Sequence, residues 1–155
     1  MISPELLRRY PFFGTLDADD IEAIAMLADE ESIPKGIKIF EEGGEAIKLY
    51  LLMEGSVELY YHSQKIFNPN TRKDFYIGDI NPGEVFSISS MIEPYTLTAT
   101  AVAAQTCRVI KIDAVTLRQM FDEDPLLGYR IMLQTTKAAY ERLAAVRAQL
   151  AAAWA

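Results

Sequence analysis

Lys35-Gly36-Ile37-Lys38-Ile39-Phe40-Glu41-Glu42-Gly43-Gly44-Glu45, followed closely by Leu49-Tyr50-Leu51-Leu52-Met53-Glu54-Gly55-Ser56-Val57-Glu58, carries the strongest architectural signal in this chain. Ile37 and Ile39 alternate with Lys38 and Phe40, and Leu49, Leu51 and Met53 alternate with Tyr50 and Leu52. A period of two belongs to β-strands. Gly36, Gly43, Gly44 and Gly55 interrupt the runs where a meander must turn, since a residue without a Cβ takes positive φ at no steric cost. Downstream, the same pattern predicts strands over 57–61, 73–77, 98–104 and 107–112, punctuated by Gly78 and Gly83.

Helical periodicity flanks these strands. Within residues 15–30, Ile21, Ile24, Ala25 and Ala28 recur at helical spacing behind an acidic first turn, which predicts a short amphipathic helix and an N-terminal helical segment reaching residue 31. After the strands the helical pattern returns at Ala114, breaks at Asp124-Pro125 and runs on from Leu126 to the end. Strands bracketed by helices give an α+β roll or barrel rather than an alternating parallel sheet. In the last helix Met132, Thr136, Ala139, Leu143, Val146 and Leu150 follow steps of four and three, a heptad seam. Such a seam is either the face that packs on the roll or a dimer face. About 25 residues at 1.5 Å make a rod of roughly 37 Å, longer than a small roll can cover, which favours a dimer helix. Trp154 is then either frayed or an apolar anchor for a partner.

With 155 residues, half of them apolar, the chain suits one domain that needs no covalent staples. A formal charge of −7 and a pI near 4.7 disfavour nucleic acid and anionic membranes, because phosphates must be met by Lys and Arg. The N-terminus lacks a basic leader followed by an apolar stretch, and no apolar run approaches a membrane span, so a cytoplasmic location is expected. Cys107 lies in an alternating run, where a free thiol acts as a small buried hydrophobe. His62 stands alone, so neither a metal site nor a Cys/His nucleophile pair is expected. Glu41, Glu42, Glu45, Glu84 and Glu93 supply carboxylates, yet none is tied to a nucleophile or an activating base. No enzyme and no cofactor are expected.

Four segments, in order and spacing, resemble the cyclic nucleotide-binding domain family of catabolite activator type: Tyr10-Pro11-Phe12-Phe13-Gly14-Thr15-Leu16; the glycine-bearing run from Lys35 to Glu58; Ile80-Asn81-Pro82-Gly83-Glu84-Val85-Phe86; and the strand from Cys107 to Ile112 with Phe121 and Asp124-Pro125 leading into the long helix. The resemblance spans residues 10 to 150. It implies one cyclic nucleotide-binding-like domain over 1–155: a helical segment over 1–31, a double-stranded β-helix (a jelly-roll-like β-roll) over 32–113 with the phosphate-binding cassette near 86–100, and C-terminal helices over 114–155. In the resembling family the cassette runs Phe-Gly-Glu, with an Arg nine residues after the Glu; the Glu accepts a ribose hydroxyl and the Arg pairs with the cyclic phosphate. Ungapped counting from either side places Ser87 at the glycine, Ile88 at the glutamate and Leu97 at the arginine.

The resemblance therefore implies a candidate pocket at Phe86, Ser87, Ser89, Ser90, Leu97 and Thr98, with Arg142 and Leu143 at the positions of the family's base contacts on the long helix. The serines read either as helix caps or as groups that hold an anion at free backbone N–H groups. Arg142 reads either as a solvated helix residue or as a substitute cation reaching into the roll. The family's transcription factors continue into a helix-turn-helix, whereas this sequence stops at Ala155 and resembles stand-alone bacterial forms, so direct DNA binding is not expected. The expectation is a regulatory, signal-transducing homodimer whose pocket takes a small ligand other than cAMP or cGMP or has lost ligand binding. The alternative is a protein-interaction module with a vestigial pocket.

Overall fold

A computed structural model describes residues 1–63 and 73–155. Ser3 caps a short helix α1 (Pro4–Arg8), its hydroxyl accepting the Glu5 N–H, with Pro4 in the first turn where the missing N–H costs nothing. A 3₁₀ turn over Pro11–Phe13 buries Phe12 and Phe13, and α2 (Ala18–Met26) follows, capped by Asp17. The strands are β1 (Ala28–Ile33), β2 (Lys38–Phe40), β3 (Lys48–Glu54), β4 (Val57–Ser63), β5 (Lys73–Ile80), β6 (Val85–Phe86), β7 (Thr100–Ala103) and β8 (Cys107–Asp113), with a 3₁₀ turn over Ile88–Met91 between β6 and β7. Two helices close the chain, α3 (Ala114–Glu123) and α4 (Pro125–Ala153).

Among the described residues the strands form two four-stranded sheets, ordered β1-β8-β3-β6 and β2-β7-β4-β5, with every pairing antiparallel. This is the α+β roll that the alternating runs predict. One sheet is covered on both faces. Leu49, Leu51, Ile110 and Ile112 point toward the helices, while Leu52, Cys107 and Val109 point between the sheets beside Val57, Leu59 and Phe86. Because successive side chains alternate faces, a strand buried on both sides reads as a nearly continuous apolar run, as Leu51-Leu52 and Val109-Ile110 do. Each fully buried Leu or Ile contributes on the order of 1.5–3 kcal/mol. The lone thiol, Cys107, is buried in the inter-sheet core.

One boundary differs from the sequence reading. The helical segment expected to reach residue 31 ends at Met26, and Ala28–Ile33 is an edge strand paired along its whole length with β8. Its acidic side chains suit that edge, where Glu30 meets Arg108 and Glu31 lies 2.9 Å from Lys111. That partner is about 80 residues away, so local periodicity carries no sign of it. His62 is not isolated either. On the outer face of the second sheet its Nδ1 meets Asp74, its Nε2 lies 2.6 Å from Thr100 Oγ1, and its backbone N–H donates to Glu42 Oε2. The network stitches β4, β5 and β7 together. Among the described residues no helix is long and apolar enough to cross a membrane.

Candidate functional site

A cavity of about 740 Å³ opens between β5, the chain around 83–89, the chain around 97–99 and one face of α4. At Gly83 (φ +92°) the backbone turns, and reciprocal bonds between this turn and Leu52 fix it to β3. Phe86 then stacks on Tyr50 with ring centroids 5.0 Å apart and lies beside Phe40 at 6.0 Å. Immediately after it Ser87 adopts φ 61°, ψ 40°, the left-handed region that a glycine takes most easily, and this reversal launches the 3₁₀ turn over Ile88–Met91. No side-chain cap bond is made by Ser87.

The far side of the cassette is held as firmly. The Leu97 N–H donates to the Gly44 carbonyl and the Gly43 N–H donates to the Leu97 carbonyl, both at 2.8 Å, so the Leu97 side chain is pinned at the cavity wall with only 7% exposure. Ser89 Oγ and Thr98 Oγ1 approach to 3.4 Å across the mouth. Behind the loop, Arg118 of α3 donates to the Ser90 carbonyl at 2.7 Å and to Ala46 O at 3.4 Å, and its guanidinium lies 3.7 Å from the centre of the Tyr95 ring. A cation over an aromatic face, combined with two carbonyls, couples the cassette to the C-terminal helices. Arg118 was not singled out from sequence, since its bare helical position carries no signal of a partner 28 residues upstream.

α4 supplies the remaining wall. Arg142 is half-buried and its Nη1 donates to the Asp79 carbonyl at 3.2 Å, while Nη2 occupies the space a side chain on Gly78 would fill, 2.6 Å from the position of such a Cβ. Gly78 sits at φ +134° where β5 slips register against β4 between Leu59 and Tyr60, so a bulge and a missing Cβ together admit the guanidinium. The buried Nε of Arg142 has no hydrogen-bond partner among the described residues. Two nearby carboxylates are engaged: Asp79 accepts from the Tyr76 hydroxyl, a bond that pushes the phenol up to about 12, and Glu84 Oε1 accepts the Asn81 N–H at 2.7 Å.

Of the residues expected at the pocket, Phe86, Ser87, Ser89, Leu97, Thr98 and Arg142 all line the cavity. Ser90 does not. Within the 3₁₀ turn it is rotated away from the opening and fully buried, its hydroxyl without a hydrogen-bond partner among the described residues. Ile88 lines the cavity beside Leu97. Among the described residues, no three His, Cys, Asp or Glu side chains converge as a metal ion would require.

A sequence model described as "Cyclic nucleotide-binding domain" matches residues 30–124, more than half of the chain. The chain belongs to the cyclic nucleotide-binding domain family. The match runs from the middle of β1 to the α3–α4 junction and therefore contains both sheets and the cassette. A solved structure of a candidate cyclic nucleotide-binding protein from Geobacter metallireducens superposes with a TM-score of 0.80 at 37% identity, covering 92% of this chain and 99% of that one. Among curated proteins, the chain is 24% identical over 131 residues to a candidate potassium channel protein of Rhodopseudomonas palustris. It is 22% identical over 128 residues to a CRP-like cAMP-activated global transcriptional regulator of Mycobacterium tuberculosis. These matches cover 84% and 83% of this chain but 30% and 54% of the relatives, so the chain spans about half of those proteins or less. The sensor domain of the transcriptional regulator DNR from Pseudomonas aeruginosa shares the fold at a TM-score of 0.70 and 17% identity.

Proposed function

We propose that this cyclic nucleotide-binding-fold domain is a non-catalytic regulatory sensor whose pocket does not take cAMP or cGMP in the family's usual way. One observation carries the reading. At the two cassette positions aligned with the family's glutamate and arginine, the cavity wall presents the alkyl side chains of Ile88 and Leu97. A phosphate monoanion placed against such a wall loses its hydration without a charged partner, a cost of several kcal/mol even after relaxation. A guanidinium pair is the usual remedy, worth roughly 1.5–3 kcal/mol for bonds to a charged group. Calorimetric titration of the purified chain with cAMP and with cGMP tests the reading; submicromolar binding of either overturns it.

The second reading, self-association through α4, rests on the exposed face of that helix. Its 29 residues make a rod of about 44 Å. Leu126, Tyr129, Leu133, Tyr140, Leu143, Leu150 and Trp154 are all exposed along it, Tyr140 by 71% and Trp154 by 84%. With Thr136 and Arg147 these positions follow alternating steps of three and four over the whole helix. The series shares Thr136, Leu143 and Leu150 with the seam expected from sequence and lies one residue beyond it at Leu133, Tyr140 and Arg147. Of that seam, Thr136, Leu143, Val146 and Leu150 are exposed, but Met132 packs against the core and Ala139 is half-buried. The dimer face we propose therefore centres on Leu133, Tyr140, Leu143 and Leu150. Light scattering of the full chain tests it: a dimer is expected, and a monomer at every concentration refutes it.

A further inference from the structure

We propose that the cavity is built for an amphipathic organic monoanion, its acid head on Arg142 and its apolar body against Phe86, Ile88 and Leu97. The proposal rests on the reading that the cassette lacks the family's charged pair. It adds the chemical class of the ligand and the direction in which that ligand lies.

The two ends of the cavity differ in kind. At the cassette end Val85, Phe86, Ile88 and Leu97 offer alkyl and aromatic surface, continued by Leu59 and Ile80 from the sheet. Burying apolar ligand surface there is favourable in proportion to the area removed from water. At the α4 end stands a guanidinium whose place has been made for it: Gly78 lacks the side chain that would exclude it, and the Asp79 carbonyl fixes Nη1 at 3.2 Å. A guanidinium has five N–H donors in a planar fork. The buried Nε–H has no partner among the described residues. A carboxylate or sulfonate has the bidentate geometry to pair with such a fork.

The charge of the ligand follows from the neighbours. Arg142 and Lys137 line the cavity together with Asp79, Glu84 and Glu141. Asp79 is engaged by the Tyr76 hydroxyl and Glu84 by the Asn81 N–H, and Glu141 and Lys137 lie exposed toward the rim. One half-buried cation among three carboxylates accommodates a single negative charge and repels a second. The volume of about 740 Å³ lies within the roughly 300–1,000 Å³ usual for small-molecule sites and leaves room for a body larger than a bare inorganic ion.

Calorimetric titration of the full chain with octanoate, with the neutral isostere octanamide and with cAMP tests this. Octanoate is expected to bind at least tenfold more tightly than octanamide. R142Q should erase that preference without changing octanamide binding, and R142K should restore part of it. L97W, which crowds the cassette end where the apolar body lies, should weaken octanoate binding at least tenfold, whereas binding to the apolar stripe of α4 would be untouched by it. Equal affinities of wild-type protein for octanoate and octanamide overturn the proposal even where R142Q fails to fold, as does an octanoate affinity unchanged by L97W. Silence toward both octanoate and cAMP overturns this inference alone. Submicromolar cAMP binding with octanoate silent overturns it together with the reading of the cassette on which it rests.

Discussion

Replacing Gly78 by alanine probes the junction of roll and helix most directly. The new Cβ would stand 2.6 Å from Arg142 Nη2, 3.3 Å from Cζ and 3.5 Å from Nη1, on a backbone at φ +134°. Two costs add. Holding an L-residue at that φ costs about 1–2 kcal/mol. The guanidinium is the far end of a flexible side chain and yields, but it surrenders the bond to the Asp79 carbonyl, worth about 1 kcal/mol for a partly exposed contact. The sum is about 2–3 kcal/mol. At about 2–4 °C per kcal/mol for a chain of this size, the melting midpoint followed by circular dichroism should fall by about 4–12 °C. The same substitution in an R142A background meets no guanidinium, so its cost should drop to the backbone part, about 1–2 kcal/mol, leaving a coupling of about 1 kcal/mol between the two sites. An unchanged midpoint for G78A, or an identical cost in both backgrounds, would refute the claim that this glycine exists to admit Arg142.

Gly55→Ala should be costlier. There φ is +101° and the Cβ meets Thr106 O at 2.7 Å, Cys107 Sγ at 2.8 Å and Cys107 Cα at 3.0 Å, mostly backbone that cannot swing away, so urea denaturation should show a loss of about 2–5 kcal/mol. Asp113→Ala removes the N-cap of α3, whose carboxylate accepts the Val115 and Thr116 N–H groups and the Thr116 hydroxyl, and should cost about 1 kcal/mol. Burial pushes the Asp113 carboxyl up, but those hydrogen bonds outweigh it and hold the group below its ordinary 3.8, so its contribution is complete above that pH and disappears as pH falls through the lower folded value. Acid melts of wild type and variant should therefore converge below pH 3.8; a constant gap would count against the cap. Leu143→Glu combined with Leu150→Glu should yield monomers by light scattering with the roll's melting midpoint nearly unchanged, because both side chains are more than half exposed. Ile88→Glu with Leu97→Arg restores the charged cassette pair and should raise cAMP affinity at least about tenfold in calorimetry, the yield of one charge-assisted bond of roughly 1.5–3 kcal/mol; no gain would show that other walls of the cavity exclude the nucleotide.

The strands and their corners were legible because their determinants are local. Alternation at Leu49, Leu51 and Met53, and glycines at Gly36, Gly43, Gly55 and Gly83, act within a few residues, and all four of those glycines adopt positive φ. The acidic run at 29–31 was not legible as a strand, since its partners Arg108 and Lys111 stand across the sheet, far away along the chain. Ser90 and Ser89 are adjacent and chemically alike, yet the 3₁₀ turn puts one in the interior and the other at the cavity. Helix α4 departs from the open seam expected of it at Met132 and Ala139 for a related reason. Its apolar side chains lie nearly all round, so only the body it packs on, through Leu127, Ile131 and Thr135, decides which stripe stays open.

The alternating runs and their glycines were enough to set the roll, and the resemblance of four segments was enough to suggest the family, because each depends on the kind of residue at a position along the chain. Where the cavity keeps its positive charge was settled only by folding. A bulge in β5, a glycine at its apex and a helix from the other end of the chain must meet for Arg142 to enter. A contact between segments about 60 residues apart is a property of packing, to which neither segment alone is a guide.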